Sequence, residues 1–144
     1  MFLISHRGNI DRVTDLENQP DYIDAAIELG YDVEIDVWEL EGELWLGHDE
    51  AQHKIDLRFL LARKDKLWCH AKNFDALKRM IDNGIHCFWQ QDDDYAMTSK
   101  GYIFTHSKVT KATDLSILVS LDGDLDLPRC AGICSDRISR YKNE

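Results

Sequence analysis

The sequence predicts an α/β fold: a compact, partly degraded (β/α) barrel of the TIM-like kind, with short or missing C-terminal helices. Three observations lead there. Apolar strand-like runs alternate with helix-like stripes through the first two thirds of the chain, the pattern of a parallel sheet with crossover helices. After Gly84 the strand-like runs crowd too closely for full helices. The 144 residues also fall well short of the roughly 250 that eight complete units need. An open doubly wound sheet is the alternative arrangement. No linker, repeat or low-complexity segment divides the chain, so residues 1–144 are read as one domain.

The elements follow in order. Phe2 to Ser5 is a first strand running into His6-Arg7-Gly8. Pro20 opens a helix at its favoured first position, Ile23, Ala26 and Ile27 form its apolar stripe, and Gly30 stops it. Tyr31 to Leu40 is a second strand, turned at Glu41-Gly42 into the returning Glu43 to Leu46, a hairpin ending at Gly47-His48-Asp49. A second helix starts at Asp56 and carries Leu57, Phe59, Leu60 and Leu61, and Leu67 to Lys72 is the next strand. Asn73 caps a third helix with the stripe Phe74, Leu77, Met80 and Ile81, ended by Gly84. His86 to Gln90, Tyr102 to Thr105, Ser116 to Leu121 and Ala131 to Cys134 are the remaining strand-like runs, and Asp92-Asp93-Asp94 is read as a solvated loop or helix start.

Composition narrows the function. A formal net charge of −10 argues against nucleic acid and anionic membranes as partners through a general basic field. A phosphate-bearing substrate therefore requires a bound cation or a few placed basic residues to invert the local potential. The apolar runs are far below the roughly 20 residues that span a bilayer, and no leader pattern precedes Ser5, so a cytoplasmic address is expected. Cys69, Cys87, Cys130 and Cys134 lack zinc-site spacing and are expected to be buried free thiols.

The chemistry-bearing residues concentrate near the N-terminus. Alternation along a strand puts Glu34 and Asp36 on one face and Val33, Ile35 and Val37 on the other. Two carboxylates on a largely buried strand need a cation or strong partners, and such oxygens suit magnesium or calcium. Arg7 offers a planar fork to a phosphate, with Gly8 beside it for close backbone approach. His6 and His48 are candidates for a general acid and base, since histidine titrates near neutral pH. His70 and Lys72 share a strand face, His70 as a possible third metal ligand and Lys72 as a point charge for phosphate, or both as a solvated rim. His53, His86 and His106 are expected to be structural or exposed, and the four tryptophans to be core or pocket wall. Ser135-Asp136-Arg137 lies within reach of a pocket rim.

Taken in order, Ser5-His6-Arg7-Gly8, Glu17-Asn18, Glu34-Ile35-Asp36-Val37 and Gly47-His48-Asp49 resemble the N-terminal signature of the glycerophosphodiester phosphodiesterases, members of the phospholipase-C-like phosphodiesterase superfamily. The closing Gly132 to Asp136 is similar to that family's last strand. The resemblance is specific over residues 4 to 49, fair around 67 to 72 and thin from 85 to 130. It implies a barrel, with His6 and His48 as the acid–base pair, Arg7 and Lys72 on the phosphate, Glu17 as a supporting acid, and Glu34 and Asp36 on a divalent metal. The family's third metal ligand is an acid two residues before the lysine, and His70 holds that place here. The implied activity is metal-dependent cleavage of a small glycerophosphodiester-like substrate, with Mg2+ or Ca2+, or Mn2+ given His70. The nucleophile is water or a neighbouring substrate hydroxyl. A non-catalytic, headgroup-binding descendant of the same fold is the alternative, and a lyase on a lipid headgroup such as sphingomyelin is a third reading.

Overall fold

In the computed structural model, which describes residues 1–106 and 111–142, the chain forms one curled ten-stranded mixed sheet with three short helices. The strands are β1 (Phe2–His6), β2 (Asp32–Leu40), β3 (Glu43–Leu46), β4 (His53–Ile55), β5 (Leu67–Ala71), β6 (Cys87–Phe88), β7 (Tyr95–Met97), β8 (Ile103–His106), β9 (Ser116–Val119) and β10 (Gly132–Ser135). The helices are α1 (Pro20–Glu28), α2 (Leu57–Ala62) and α3 (Phe74–Asp82), and a 3₁₀ turn, Ile138–Tyr141, closes the described chain. The order β6-β5-β2-β1-β10-β9-β8 is parallel throughout. Antiparallel β3 and β4 extend it beside β2, and antiparallel β7 beside β8.

The TIM-like barrel expected from the sequence is not what forms. The sheet is a half-barrel, and the strand β6 and the residue after β7 share one isolated bridge, Phe88 with Thr98, in place of a ladder. The helices are only 9, 6 and 9 residues long and lie within the first 82 residues. A parallel connection normally returns through a crossover of a dozen or more residues, usually a helix. Here the described parts of β8–β9 and β9–β10 make that return without one. The doubly wound alternative also fails, because α1, α2 and α3 all pack on a single face. That face is built by Val33, Ile35, Val37, Leu67, Cys69 and Ala71, against Ile23, Ala26, Leu60, Ala76 and Met80.

Local signals account for the helices. Pro20 is the first residue of α1, and the side chains of Asp56 and Asn73 accept the backbone N–H of Phe59 and Ala76 as N-caps. No helix of the described residues is long and apolar enough to cross a membrane. Cys69, Cys87 and Cys134 are buried, Cys130 is half-buried, and all four are free thiols.

The concave face is divided by depth. Ile4, Trp68, Phe88, Phe104, Ile117 and Cys134 form an apolar cluster within it. His6, the last residue of β1, and His70, the last but one of β5, stand beside Glu34 and Asp36 of β2. Register makes this row: His6 pairs with Glu34 across β1–β2, and Asp36 with His70 across β2–β5.

Candidate active site

Glu34 and Asp36 leave the same face of β2 and are almost fully buried, 4% and 0% exposed. Burying two carboxylates side by side is costly unless charge or hydrogen bonds answer them. Asp36 is answered well. Asn18 clamps it from both sides, its Nδ2 donating to Asp36 Oδ2 at 2.9 Å and its Oδ1 accepting the Asp36 backbone N–H at 3.0 Å. Arg7 Nε stands 3.2 Å from the same Oδ2. Burial alone would raise this carboxyl, but contacts from His48 and His70 and the Arg7 charge together hold it well below the usual carboxylate range. Glu34 goes the other way. Burial, then the neighbouring Asp36 charge, push it well above its ordinary value against the pull of Arg7 and Lys72.

One oxygen on each acid, Glu34 Oε1 and Asp36 Oδ1, is buried without a hydrogen-bond partner. His70 closes this group. Its Nδ1 lies 3.3 Å from Asp36 Oδ1 and 3.9 Å from Glu34 Oε2, and its Nε2 lies 2.9 Å from the Gln90 carbonyl oxygen. A carbonyl only accepts, so Nε2 carries a proton, and Nδ1 is the ring atom that faces the acids. A histidine that donates its far N–H to a backbone carbonyl is the usual arrangement of a metal-ligating imidazole. One ligand atom from each of Glu34, Asp36 and His70 falls within 4.8 Å of the others. The donor set of two buried oxygens and one nitrogen therefore fits a divalent cation.

His6 and His48 are each held at Nδ1, by partners of opposite charge. His6 Nδ1 lies 2.7 Å from Asp136 Oδ1 and donates to it, while Nε2 faces the site, 3.7 Å from Glu34 Oε1. Arg7 Nη2 lies 2.6 Å from His48 Nδ1. The guanidinium only donates, so His48 accepts at Nδ1 and carries its proton on Nε2. Gly47 permits this placement: its φ is +154°, and a Cβ there would stand 1.9 Å from the Glu50 carbonyl oxygen. Gly8, at φ +97°, leaves room for the Tyr22 ring, which a Cβ would meet at 2.5 Å. Tyr22 in turn donates to Asn9 Oδ1 at 3.0 Å.

The remaining sequence candidates fall close by. Glu17 stands 3.6 Å from Arg7 Nη1 and accepts from Asn9 Nδ2 at 2.7 Å. Lys72 lies one residue beyond β5 and lines an outer chamber of about 340 Å³ with His48, His70, Trp89 and Gln90. His6, Arg7, Glu34, His48 and His70 line the inner cavity of about 160 Å³. His86 is buried away from these groups against Trp68 and Thr98, His53 is half-buried in β4, and His106 is exposed.

Four contributions had no assigned role in the sequence. Asn9 is buried and its Nδ2 also donates to Asp136 Oδ1 at 2.8 Å, yet nothing around it in the sequence marks it. Asn18 and Asp136 stand inside motifs already noted, and their polar side chains beside known candidates were the available signal. The Gln90 carbonyl carries no side-chain signal at all.

No protein-family model, curated protein sequence or solved structure matches this chain.

Proposed function

We propose that the protein is a metal-dependent phosphodiesterase that hydrolyses a small glycerophosphodiester-like substrate. The observation that carries this reading is the pair of histidines, one held at Nδ1 by Asp136 and the other by Arg7, beside two buried, unpartnered carboxylate oxygens. His6, with a lone pair at Nε2, is the base that takes a proton from the attacking hydroxyl. His48 is the acid that protonates the departing oxygen from Nε2; it acts as the imidazolium once Arg7 turns to the phosphate and releases His48 Nδ1 to take a second proton. Each such transfer typically contributes about 10²–10⁴ in rate.

Arg7 is the phosphate-binding residue of this reading, and its Nη2 also contacts His48 Nδ1. Lys72 brings positive charge to the outer chamber, where the phosphate's second substituent leaves the pocket. Glu34, Asp36 and His70 would hold the divalent cation, which supplies a Lewis acid against charge developing on the phosphoryl oxygens. Magnesium or calcium suits the carboxylates, and the imidazole nitrogen favours manganese over both.

The test is hydrolysis of a panel of phosphodiesters with magnesium, calcium, manganese or chelator, in parent and His6→Ala protein. Cleavage that chelator abolishes and His6→Ala removes is the expected result. Cleavage indifferent to both overturns the proposal, and phosphodiester binding without cleavage supports the non-catalytic alternative.

A further inference from the structure

The inner cavity is chemically two-sided. One side is charged: His6 from β1, Arg7 just after it, Glu34 from β2, His70 from β5, and His48. The other side is Phe88 from β6, Phe104 from β8, Val119 from β9 and Cys134 from β10. Phe104 stacks on Phe88 with centroids 4.4 Å apart, and Phe88 stacks on His70 at 5.0 Å, so one ladder of rings runs from the candidate metal ligand into the apolar wall.

Among the described residues, that wall offers little to a hydroxyl. Thiols are weak hydrogen-bonding groups. Gln90, the one side-chain amide that lines the cavity among the described residues, donates its Nε2–H to the Asp93 carbonyl at 2.8 Å, and its backbone carbonyl accepts from His70. Thr105, next to Phe104 on β8, donates back to the Ile103 carbonyl. The volume of about 160 Å³ is on the scale of the ~150 Å³ apolar cavity that takes up benzene. It has room for a phosphoryl group and a compact substituent. A polyol lying against Phe88, Phe104 and Val119 finds no hydrogen-bonding group on those side chains.

Resting on the phosphodiesterase reading, we infer that the site is selective for an asymmetric diester. A short apolar ester group sits against Phe88, Phe104 and Val119, and the polar, glycerol-like substituent lies outward beside Lys72 and Trp89. Val119 and Phe104 are then specificity-determining residues.

The experiment compares two diesters of glycerol phosphate that differ only in the second ester group, n-propyl or 2,3-dihydroxypropyl, titrated into Mn2+-loaded protein by calorimetry and assayed for cleavage. The propyl diester is expected to bind roughly tenfold more tightly, the effect of burying hydroxyls without partners. Val119→Thr, which supplies a hydroxyl with little change of shape, is expected to narrow that gap roughly threefold. Phe104→Leu, which keeps the wall apolar, is expected to preserve the preference. Equal affinities, preference for the dihydroxypropyl diester, or no binding of either overturns the inference. Cleavage is read separately. Equal cleavage of both diesters with equal affinity leaves the phosphodiesterase reading standing without the selectivity. A propyl preference in binding without any cleavage keeps the pocket assignment and removes the catalytic one.

Discussion

His6 and Asp136 lie 130 positions apart in sequence and 2.7 Å apart in space, Nδ1 to Oδ1. Parallel pairing of β1 with β10 brings them together, since Ser5 is registered with Ser135 and each reactive residue is the next one along. Asp136 also accepts from Asn9. Burial alone would raise its carboxyl, but the His6 and Asn9 hydrogen bonds and the Arg7 charge hold it below the ordinary value. A charged Asp136 keeps the proton of neutral His6 on Nδ1 and the lone pair on Nε2. The substitution Asp136→Asn removes that constraint, because an amide can present N–H to Nδ1 and favour the wrong tautomer. We expect kcat to fall about 10²–10⁴-fold with KM nearly unchanged, and the acid limb of the pH–rate profile to shift. Steady-state kinetics checks it; a variant within about threefold of the parent makes Asp136 a structural neighbour only.

What the sequence revealed was local. The two-residue period of β2 placed Glu34 and Asp36 opposite Val33, Ile35 and Val37, and the helix-facing packing of those apolar residues agrees. Pro20, Asp56 and Asn73 marked three helix starts for equally local reasons. The errors came from long-range pairing. The strands β4 and β7 have three residues each and are defined only by the strands they pair with. Lacking a period of their own, they escaped notice, and the segment was assigned to a barrel. Asp136 was visible beside a strand, but its role needed the β1–β10 pairing.

The metal preference is a second prediction. With one imidazole nitrogen in the ligand set, Mn2+ should bind more tightly than Mg2+, following ligand softness. His70→Asp restores an all-oxygen set, and should reduce the Mn2+/Mg2+ affinity ratio about tenfold or more while leaving Mg2+ binding intact. Calorimetric titration of each ion into parent and variant provides the ratio. In thermal scans of the parent, a saturating ion at about 100 times its Kd should add about 2.7 kcal/mol. An unchanged ratio removes His70 from the ligand set.

Asn18 carries the third. It sits at φ 65°, a left-handed conformation that asparagine tolerates better than most residues, and both ends of its amide bind Asp36. Asn18→Ala loses both hydrogen bonds and pays for the backbone, so it should destabilise the protein by about 2–4 kcal/mol. Asn18→Gly relieves the backbone alone and should recover about 1 kcal/mol of that loss. Denaturant unfolding of the three proteins measures both differences. Equal stability of the Ala and Gly variants contradicts the backbone contribution, and a loss below about 1 kcal/mol in both contradicts the clamp.

His86 gives a pH signature separate from the site. Its ring lies against Trp68, centroids 4.3 Å apart, and its Nε2 is 2.7 Å from Thr98 Oγ1. Burial, then the Lys100 charge, push it down from 6.5 to about 4. The sign follows directly. Below pH 6.5 the unfolded chain takes up a proton that the folded protein refuses until about pH 4. Stability from this residue is therefore complete above that window and falls through it, with a slope of at most about 1.4 kcal/mol per pH unit. His86→Gln keeps a hydrogen-bonding group toward Thr98 and cannot titrate. Carboxylates titrating low in the same range affect both proteins alike and cancel in the difference. Thermal unfolding between pH 7 and pH 4 should show the parent losing several degrees more than the variant on acidification. Parallel Tm curves would mean that His86 is hydrated and protonated in the folded protein.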